Sequence, residues 1–474
     1  MKHTKIVATI SDQRCEPEFV SALFREGMNV ARLNTAHIST GSALKMIENI
    51  RSVSDTIGIL IDTKGPEVRT VDVEKPLEVK RKELIEVSGL QRKSVENRLT
   101  LTVTYPDFHI EIPDGSKIMI DDGEIELDII RKEADYVLCE VENPGIIKNK
   151  KSVNTPGFSV KLPPISKKDE EFIEFSAKNN IDFIAHSFVR NKEDVIKVQE
   201  WLDKFDSPIK IIAKIENLDG VNNIDEILDH AYGIMVARGD LGIEIAAEKI
   251  PGIQRMLIKK AVQRKKPVII ATQMLHSMIE NPRPTRAEVN DVANAIYSRV
   301  DAIMLSGETA YGQYPVEAVQ YMHRIAREIE AGKDKRNDIT LPSVENEVDY
   351  LAEAAIQASR ELKTTAIVTN TLTGRTARYL AAFRGDNPVY AACYNMRVVR
   401  QLSLSYGVKA SLIVPKKNRF KMVRSSLKAL LDDGKLSGED TVVYVGGSFG
   451  IGGGSTFMEI STVERLTQLE RKSD

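Results

Sequence analysis

Three cysteines in 474 residues, Cys15, Cys139 and Cys393, stand far apart with no paired spacing. That scarcity excludes a disulfide framework or a cysteine-held zinc site and points to a reducing compartment. No apolar run reaches the length of a membrane span, and the opening MKHTKIVATI lacks a signal-peptide core. A formal charge of −2, from 66 basic and 68 acidic residues, exerts no overall pull on nucleic acid or anionic membrane. These absences describe a cytoplasmic protein with neither nucleic acid nor membrane as a partner. Internal repeats and low-complexity tracts are missing too. What remains is a globular composition, 42% hydrophobic and 28% charged, in a chain too long for one compact core.

Short apolar segments that end in a polar residue recur along the chain. They are TKIVATI (4–10), MNVARLN (28–34), IGILIDT (57–63), DFIAHSF (182–188), IKIIAKIEN (209–217), GIMVARGD (233–240), KPVIIATQ (266–273) and DAIMLSGE (301–308). Continuous apolar runs are what buried parallel strands look like, and the pieces between them have helical spacing. Phe19, Val20, Leu23 and Phe24 form one such stripe, with Gly27 at the C-cap position. Eight strand–helix units predict an α/β fold built on a (β/α)8 barrel, with its site at the C-terminal ends of the strands.

Two regions break the rhythm. Residues 66–163 are β-rich with Asp-Gly and Pro-Gly turns, which predicts a small β-barrel domain inserted into a barrel loop and placed as a lid. After the polar stretch EAGKDKRNDITLPSVENE, strands and helices alternate again in an open α/β domain. The expected domains are therefore 1–65 with 164–338, the insertion 66–163, and 339–474.

The strand ends carry Asn34, Asp62, Lys214, Glu216, Asp240, Thr272, Ser306 and Glu308. In PIKIIAKIENLDG, alternation puts Ile209, Ile211, Ala213 and Ile215 on one face and Ile212, Lys214 and Glu216 on the other. An isolated Lys–Glu pair reads as a rim salt bridge. Eight polar residues at six strand ends on one rim favour a site. Glu216 and Asp240, on neighbouring strands, are placed to share one divalent cation, magnesium or manganese for an all-oxygen set. Lys214 and Arg32 add fixed positive charge suited to a phosphorylated substrate. A helix starting within ARGDLG would offer backbone amides to a carboxylate.

The segments NVARLN, IDTKGPEVRT, KIEN, IMVARGDLGIEI, ATQML, NPRPTRAEVNDVANA and IMLSGETA together resemble the pyruvate kinase family over nearly the whole chain. The resemblance implies transfer of phosphate from phosphoenolpyruvate to ADP, the last step of glycolysis. It implies Glu216 and Asp240 on magnesium, Lys214 on the phosphoryl group and the enolate, and Arg32 on the phosphate. Thr272 and the amides of Gly239 and Asp240 hold the carboxylate, and Ser306 and Glu308 belong to a proton relay. Asn34, Asp62 and Thr63 resemble a potassium site. Asn34, His37, Arg69, Lys150 and Lys151 face the nucleotide, with Asp122 in the cleft. A homotetramer follows from the same likeness. Thr371, Thr373, Arg375 and Thr376 match an effector loop for phosphorylated ligands. A plain helix start there instead makes Thr373 the N-cap. The glycine-rich GGSFGIGGGST is a poor dinucleotide fingerprint, and His186 reads as structural.

Departures cluster near the nucleotide: Ser11-Asp12-Gln13-Arg14 after the first strand, Ala36 in place of a family serine, and Ser42 in place of an aromatic. Glu67 matches the potassium-dependent branch. Two other functions fit parts of the pattern. A magnesium-dependent barrel lyase would use the same carboxylates but has no need of a phosphate-facing lid. A non-catalytic metabolite sensor has no need of Arg32, Lys214, Glu216, Asp240 and Thr272 together.

Overall fold

The computed structural model describes residues 2–94, 98–158, 160–332, 344–416, 418–447 and 455–468. Eight parallel strands close into a barrel: β1 (Lys5–Ile10), β2 (Val30–Asn34), β3 (Gly58–Asp62), β4 (Phe183–His186), β5 (Lys210–Ile215), β6 (Gly233–Ala237), β7 (Val268–Ala271) and β8 (Ala302–Leu305). Each pairs with the next in chain order, and β8 returns to β1. These are the eight segments expected from sequence. Alternation divides their side chains between two cores. Val7, Val30, Leu60, Phe183, Ile212 and Met235 fill the barrel, joined by Leu404 from the C-terminal region. Ile209, Ile211, Ala213 and Ile215 instead pack outward with the surrounding helices.

Helix ends follow local chemistry. The helix Pro17–Glu26 stops at Gly27, whose φ of 118° is left-handed. A Cβ there would lie 2.7 Å from His323 Nδ1, so glycine is required twice over.

Between β3 and β4 the chain builds a second closed barrel of seven short strands, from Val68–Val71 to Ser152–Asn154. It has its own core, including Ile85, Val87, Leu101, Ile118 and Leu127. Closure leaves no free sheet edge. One carboxylate holds both crossings into this insertion. Asp169 Oδ1 accepts from the amides of Lys64 (2.9 Å) and Gly65 (3.4 Å) on the outgoing chain. Its Oδ2 accepts from Ser166 N (3.0 Å) and Oγ (2.6 Å) on the returning chain, as part of the capping box that starts the helix Lys167–Lys178. Asp169→Asn keeps the shape but turns one oxygen into a donor facing donors. The expected loss is about 1–3 kcal/mol, together with faster hydrogen exchange at residues 64 and 65. An unchanged melting temperature with unchanged exchange there would show that Asp169 does not hold the hinge.

The C-terminal region forms a five-stranded sheet in the order β11 (Val408–Leu412), β10 (Val389–Cys393), β9 (Ala366–Thr371), β12 (Thr441–Gly447), β13 (Ser455–Thr462). The last strand is antiparallel and the others parallel. Buried ion pairs bind this sheet domain to the barrel: Arg384 to Asp301 at 2.5 Å, Arg400 to Asp182 at 2.6 Å and Lys265 to Asp349 at 2.8 Å. Most of the polar linker and of GGSFGIGGGST lies outside the described residues. Among the described residues, no helix is long and apolar enough to cross a membrane.

Candidate active site

β5 carries Lys214 into the barrel mouth because position 214 shares the inward parity of Ile212. Its Nζ lies 2.9 Å from Glu216 Oε1, 3.1 Å from Asp62 Oδ1, and donates to Ser187 Oγ at 2.7 Å. Burial disfavours this charge, but Asp62 and Glu216 outweigh it and hold the lysine above its ordinary pKa. Lys214 is therefore a permanently charged group in a dry setting, where a charge acts at long reach. Arg32, from β2, donates through Nε to Asp62 Oδ2 at 2.6 Å and through Nη1 to Thr9 Oγ1 at 2.9 Å. Asp62 is fully buried, yet Arg32 and Lys214 overcome that burial and keep its pKa below the usual carboxylate value.

Glu216 and Asp240 form the second element. Glu216 Oε2 accepts the amide of Phe188 at 2.7 Å. Asp240 sits in the first turn of the helix Arg238–Glu244, the helix expected within ARGDLG. Burial, then the charge of Glu216 beside it, pushes Asp240 up to about 7. Asp240, raised beside Glu216, would be eased into its charged form by a divalent cation held between the two. The donor set thus fits magnesium or manganese.

Thr272 follows β7 with φ 68°, a left-handed conformation unusual for a β-branched residue and a strain that sites commonly hold. Its Oγ1 accepts the Gly239 amide at 2.8 Å and donates to Ala271 O at 2.6 Å. Arg238 braces the turn, reaching Thr272 O at 2.8 Å and Asp291 Oδ1 at 2.7 Å. Thr272, Gly239 and Asp240 are therefore brought together, with the Gly239 amide already held by the threonine.

Ser306 and Glu308 are adjacent, but Glu308 is engaged by backbone. Its carboxylate accepts Ser306 N at 2.7 Å and Leu275 N at 3.2 Å. These two bonds hold the carboxylate against the loop. Ser306 Oγ is buried without a hydrogen-bond partner among the described residues.

A cavity of about 460 Å3 separates the rim from the inserted barrel, lined among others by Asn34, His37, Arg69, Asp122, Asp240 and Glu244. Of the cations expected to face a nucleotide, Arg69 is held by Glu67 through Nε (2.6 Å) and Nη2 (2.8 Å), and Lys151 pairs with Asp121 at 2.7 Å. Lys64 also reaches Glu67, at 3.2 Å. Asn34 stands in register with Asp62 across β2 and β3, beside Thr63. This oxygen-rich corner fits a monovalent cation, although Asn34 Oδ1 accepts Ala36 N at 3.1 Å and Thr63 O accepts Ser187 Oγ at 2.7 Å.

In the C-terminal domain the structure corrects one expectation. Gly374, at φ 80°, is the N-cap of the helix Arg375–Ala382, and Thr373 is exposed. Thr371 Oγ1 accepts Gly374 N at 2.9 Å, because the tight turn needs a glycine at its left-handed corner. Thr376 Oγ1 shares a hydrogen bond with Ser455 Oγ at 2.7 Å, and Arg375 Nε donates to Tyr379 OH at 3.2 Å. The four residues cluster, but two of the three hydroxyls are already bonded within the fold.

The sequence reading missed Ser187. In DFIAHSF, position 187 has the inward parity of Phe183 and Ala185, and that signal alone would have placed it in the mouth. His186 has the opposite parity. It is buried with neither ring nitrogen hydrogen-bonded among the described residues, and burial lowers its pKa to about 4, so it is a neutral core residue.

A (β/α)8 barrel whose rim gathers two fixed cations and a carboxylate pair defines an enzyme acting on a phosphorylated substrate. Comparison with known proteins specifies which. Residues 1–319 match the family model described as pyruvate kinase, barrel domain, and residues 349–461 the one described as pyruvate kinase, alpha/beta domain. A pyruvate kinase of Borreliella burgdorferi is 48% identical over 98% of both chains. One of Geobacillus stearothermophilus is 42% identical over 98% of this chain and 81% of its own length. A crystal structure of a pyruvate kinase from Cryptosporidium parvum superposes with a TM-score of 0.91 at 34% identity, covering 98% of this chain and 96% of that one. The chain belongs to the pyruvate kinase family. It is a phosphotransferase of glycolysis, and its substrates are phosphoenolpyruvate and ADP. The family uses a divalent metal ion and potassium.

Proposed function

We propose that phosphoryl transfer in this protein runs through the cluster around Lys214. The observation that carries this reading is the triple contact of its Nζ with Glu216, Asp62 and Ser187. Glu216 and Asp240 would hold magnesium or manganese, which supplies Lewis-acid charge to the phosphate and enolate oxygens when bound. Arg32 grips the phosphate, while Thr272 and the turn at Gly239 and Asp240 orient the carboxylate. As the bond from phosphorus to the enol oxygen breaks and the bond to the terminal oxygen of ADP forms, negative charge grows on the enolate. Lys214 is placed to meet it. Protonation of the enolate carbon then gives pyruvate. Ser306, with its unpartnered hydroxyl, suits the proton path better than Glu308.

Arg69 and Lys151, beside His37 and Asn34, reach the nucleotide by exchanging Glu67 and Asp121 for its phosphates as the insertion closes. The domain limits 1–65 with 164–338, 66–163 and 339–474 go with this reading, as do a cytoplasmic location and a homotetramer. Thr371, Thr373, Arg375 and Thr376 are proposed as an effector loop on their clustering alone. A coupled assay for pyruvate from phosphoenolpyruvate and ADP tests the activity, and its absence would return the lyase and sensor readings.

Potassium is proposed at Asn34, Asp62 and Thr63. Ala36 lacks the hydroxyl that the family offers there, and a water in its place costs about 0–2 kcal/mol to immobilise. Ala36→Ser should therefore lower the potassium midpoint at constant ionic strength. The same shift should appear in potassium-dependent melting without substrates. Identical midpoints in both assays would make the missing hydroxyl irrelevant, and full activity in tetramethylammonium alone would remove the site.

A further inference from the structure

At the opposite end of the barrel, between the N-terminal ends of its strands and the C-terminal sheet, lies a cavity of about 620 Å3. Its cations come from three parts of the chain: Lys2 and Lys5 at the start of β1, Arg327 on the helix Pro315–Gly332, and Lys409 and Lys435 in the C-terminal domain, with the His323 ring beside them. Among the described residues, no acidic side chain lines it.

These charges are poorly matched. Lys2 Nζ donates to Gly27 O and Asn29 Oδ1, both at 3.0 Å, and Lys5 Nζ to Val408 O at 2.5 Å. All three acceptors are neutral. Glu330 exerts its field on both lysines, yet its carboxylate is taken by His3 N, Thr4 N and Thr4 Oγ1. Asp301, which also acts on Lys5, is held by both terminal nitrogens of Arg384. Among the described residues, Lys435 is the one of these basic side chains that pairs with a carboxylate, Asp433 at 2.7 Å. Burial first, and then a neighbouring lysine, lowers Lys2 to about 7 and Lys5 to about 8. Ser403 Oγ, also on the cavity wall, is buried without a hydrogen-bond partner among the described residues. Phe24, Val399, Leu402 and Val408 give the same space an apolar side.

We infer that this cavity binds a compact organic polyanion, a phosphate ester or a polycarboxylate with at least two negative charges. The cations demand the charge, and Ser403 offers a hydrogen bond. The apolar side accommodates a carbon frame, and the volume falls within the range of roughly 300–1,000 Å3 usual for small-molecule sites. The site is separate from the catalytic rim and from residues 371–376. Because its walls belong to both barrel and C-terminal domain, occupancy ties the two together and stabilises the folded chain by mass action.

The test uses calorimetry on the full chain with glycerol 3-phosphate and with citrate, at fixed ionic strength and without metal. At least one should bind with single stoichiometry and raise the melting temperature. The probe that binds more tightly identifies the source of the charge. The double variant Arg327→Gln with Lys409→Gln should weaken that binding by about tenfold or more, while Arg375→Gln leaves it unchanged. Without ligand, the double variant should melt at the same or a higher temperature, since two repelling charges are gone. Its turnover should equal wild type. The inference is overturned if neither probe binds or if binding survives the double variant. A lower ligand-free melting temperature in that variant would also overturn it, because the cations would then be matched within the fold.

Discussion

Lys214→Met lowers turnover by roughly a hundred- to a thousandfold while metal binding persists. The loss corresponds to about 2.7–4 kcal/mol for one charge acting mainly on the transition state. The substitution is tolerable for the fold. Asp62 keeps Arg32 at 2.6 Å, and Glu216, which loses its ion partner, keeps the Phe188 amide at 2.7 Å and takes its countercharge from the divalent metal, so the comparison is made with metal present. Methionine fills much of the lysine stem's volume. The effect should therefore fall on turnover with the melting temperature little changed. Pyruvate formation and manganese titration measure the two halves. A turnover within a few fold of wild type would remove Lys214 from the chemistry.

Glu216→Gln acts through the metal instead. The amide oxygen can still accept from Phe188, but one anionic ligand is lost, so manganese affinity falls and added metal restores part of the rate. A second consequence has a definite sign. Glu216 is one of the two main causes that push Asp240 up to about 7. A carboxyl raised in the folded state contributes stability at low pH, and that contribution is lost as pH rises toward the folded value. Removing the Glu216 charge lowers the Asp240 pKa, so the metal-free variant should lose less stability than wild type between pH 5 and about 8. Metal added to wild type should stabilise it more at pH 8 than at pH 5, since both carboxylates must be ionised to ligate. If manganese affinity and the pH dependence of melting are both unchanged in the variant, Glu216 is not a ligand.

The linear chain by itself determined the repeated strands and their inward parity. Period-two alternation is a local property, and burial on both faces of a parallel barrel leaves a continuous apolar signature. That is why Lys214 was assigned beside Ile212, on the face away from Ile211 and Ala213, from thirteen residues alone. The barrel, the β-rich insertion, the Gly27 cap and the family motifs were legible for the same reason: each is written in local patterns of a few residues, repeated along the chain where the element is large.

Only the tertiary structure decided which partner each charged group takes. Arg69 meets Glu67, Glu308 meets two backbone amides, and Gly374 displaces Thr373 as the cap. Asp169 joins residues 64 and 65 to residue 166, across the whole inserted domain. Lys2, Arg327 and Lys409 line one cavity although they lie far apart along the chain. Such choices are competitions among groups that only folding brings within a few ångströms. Their outcome depends on burial and on the other charges present, neither of which is a property of any local stretch.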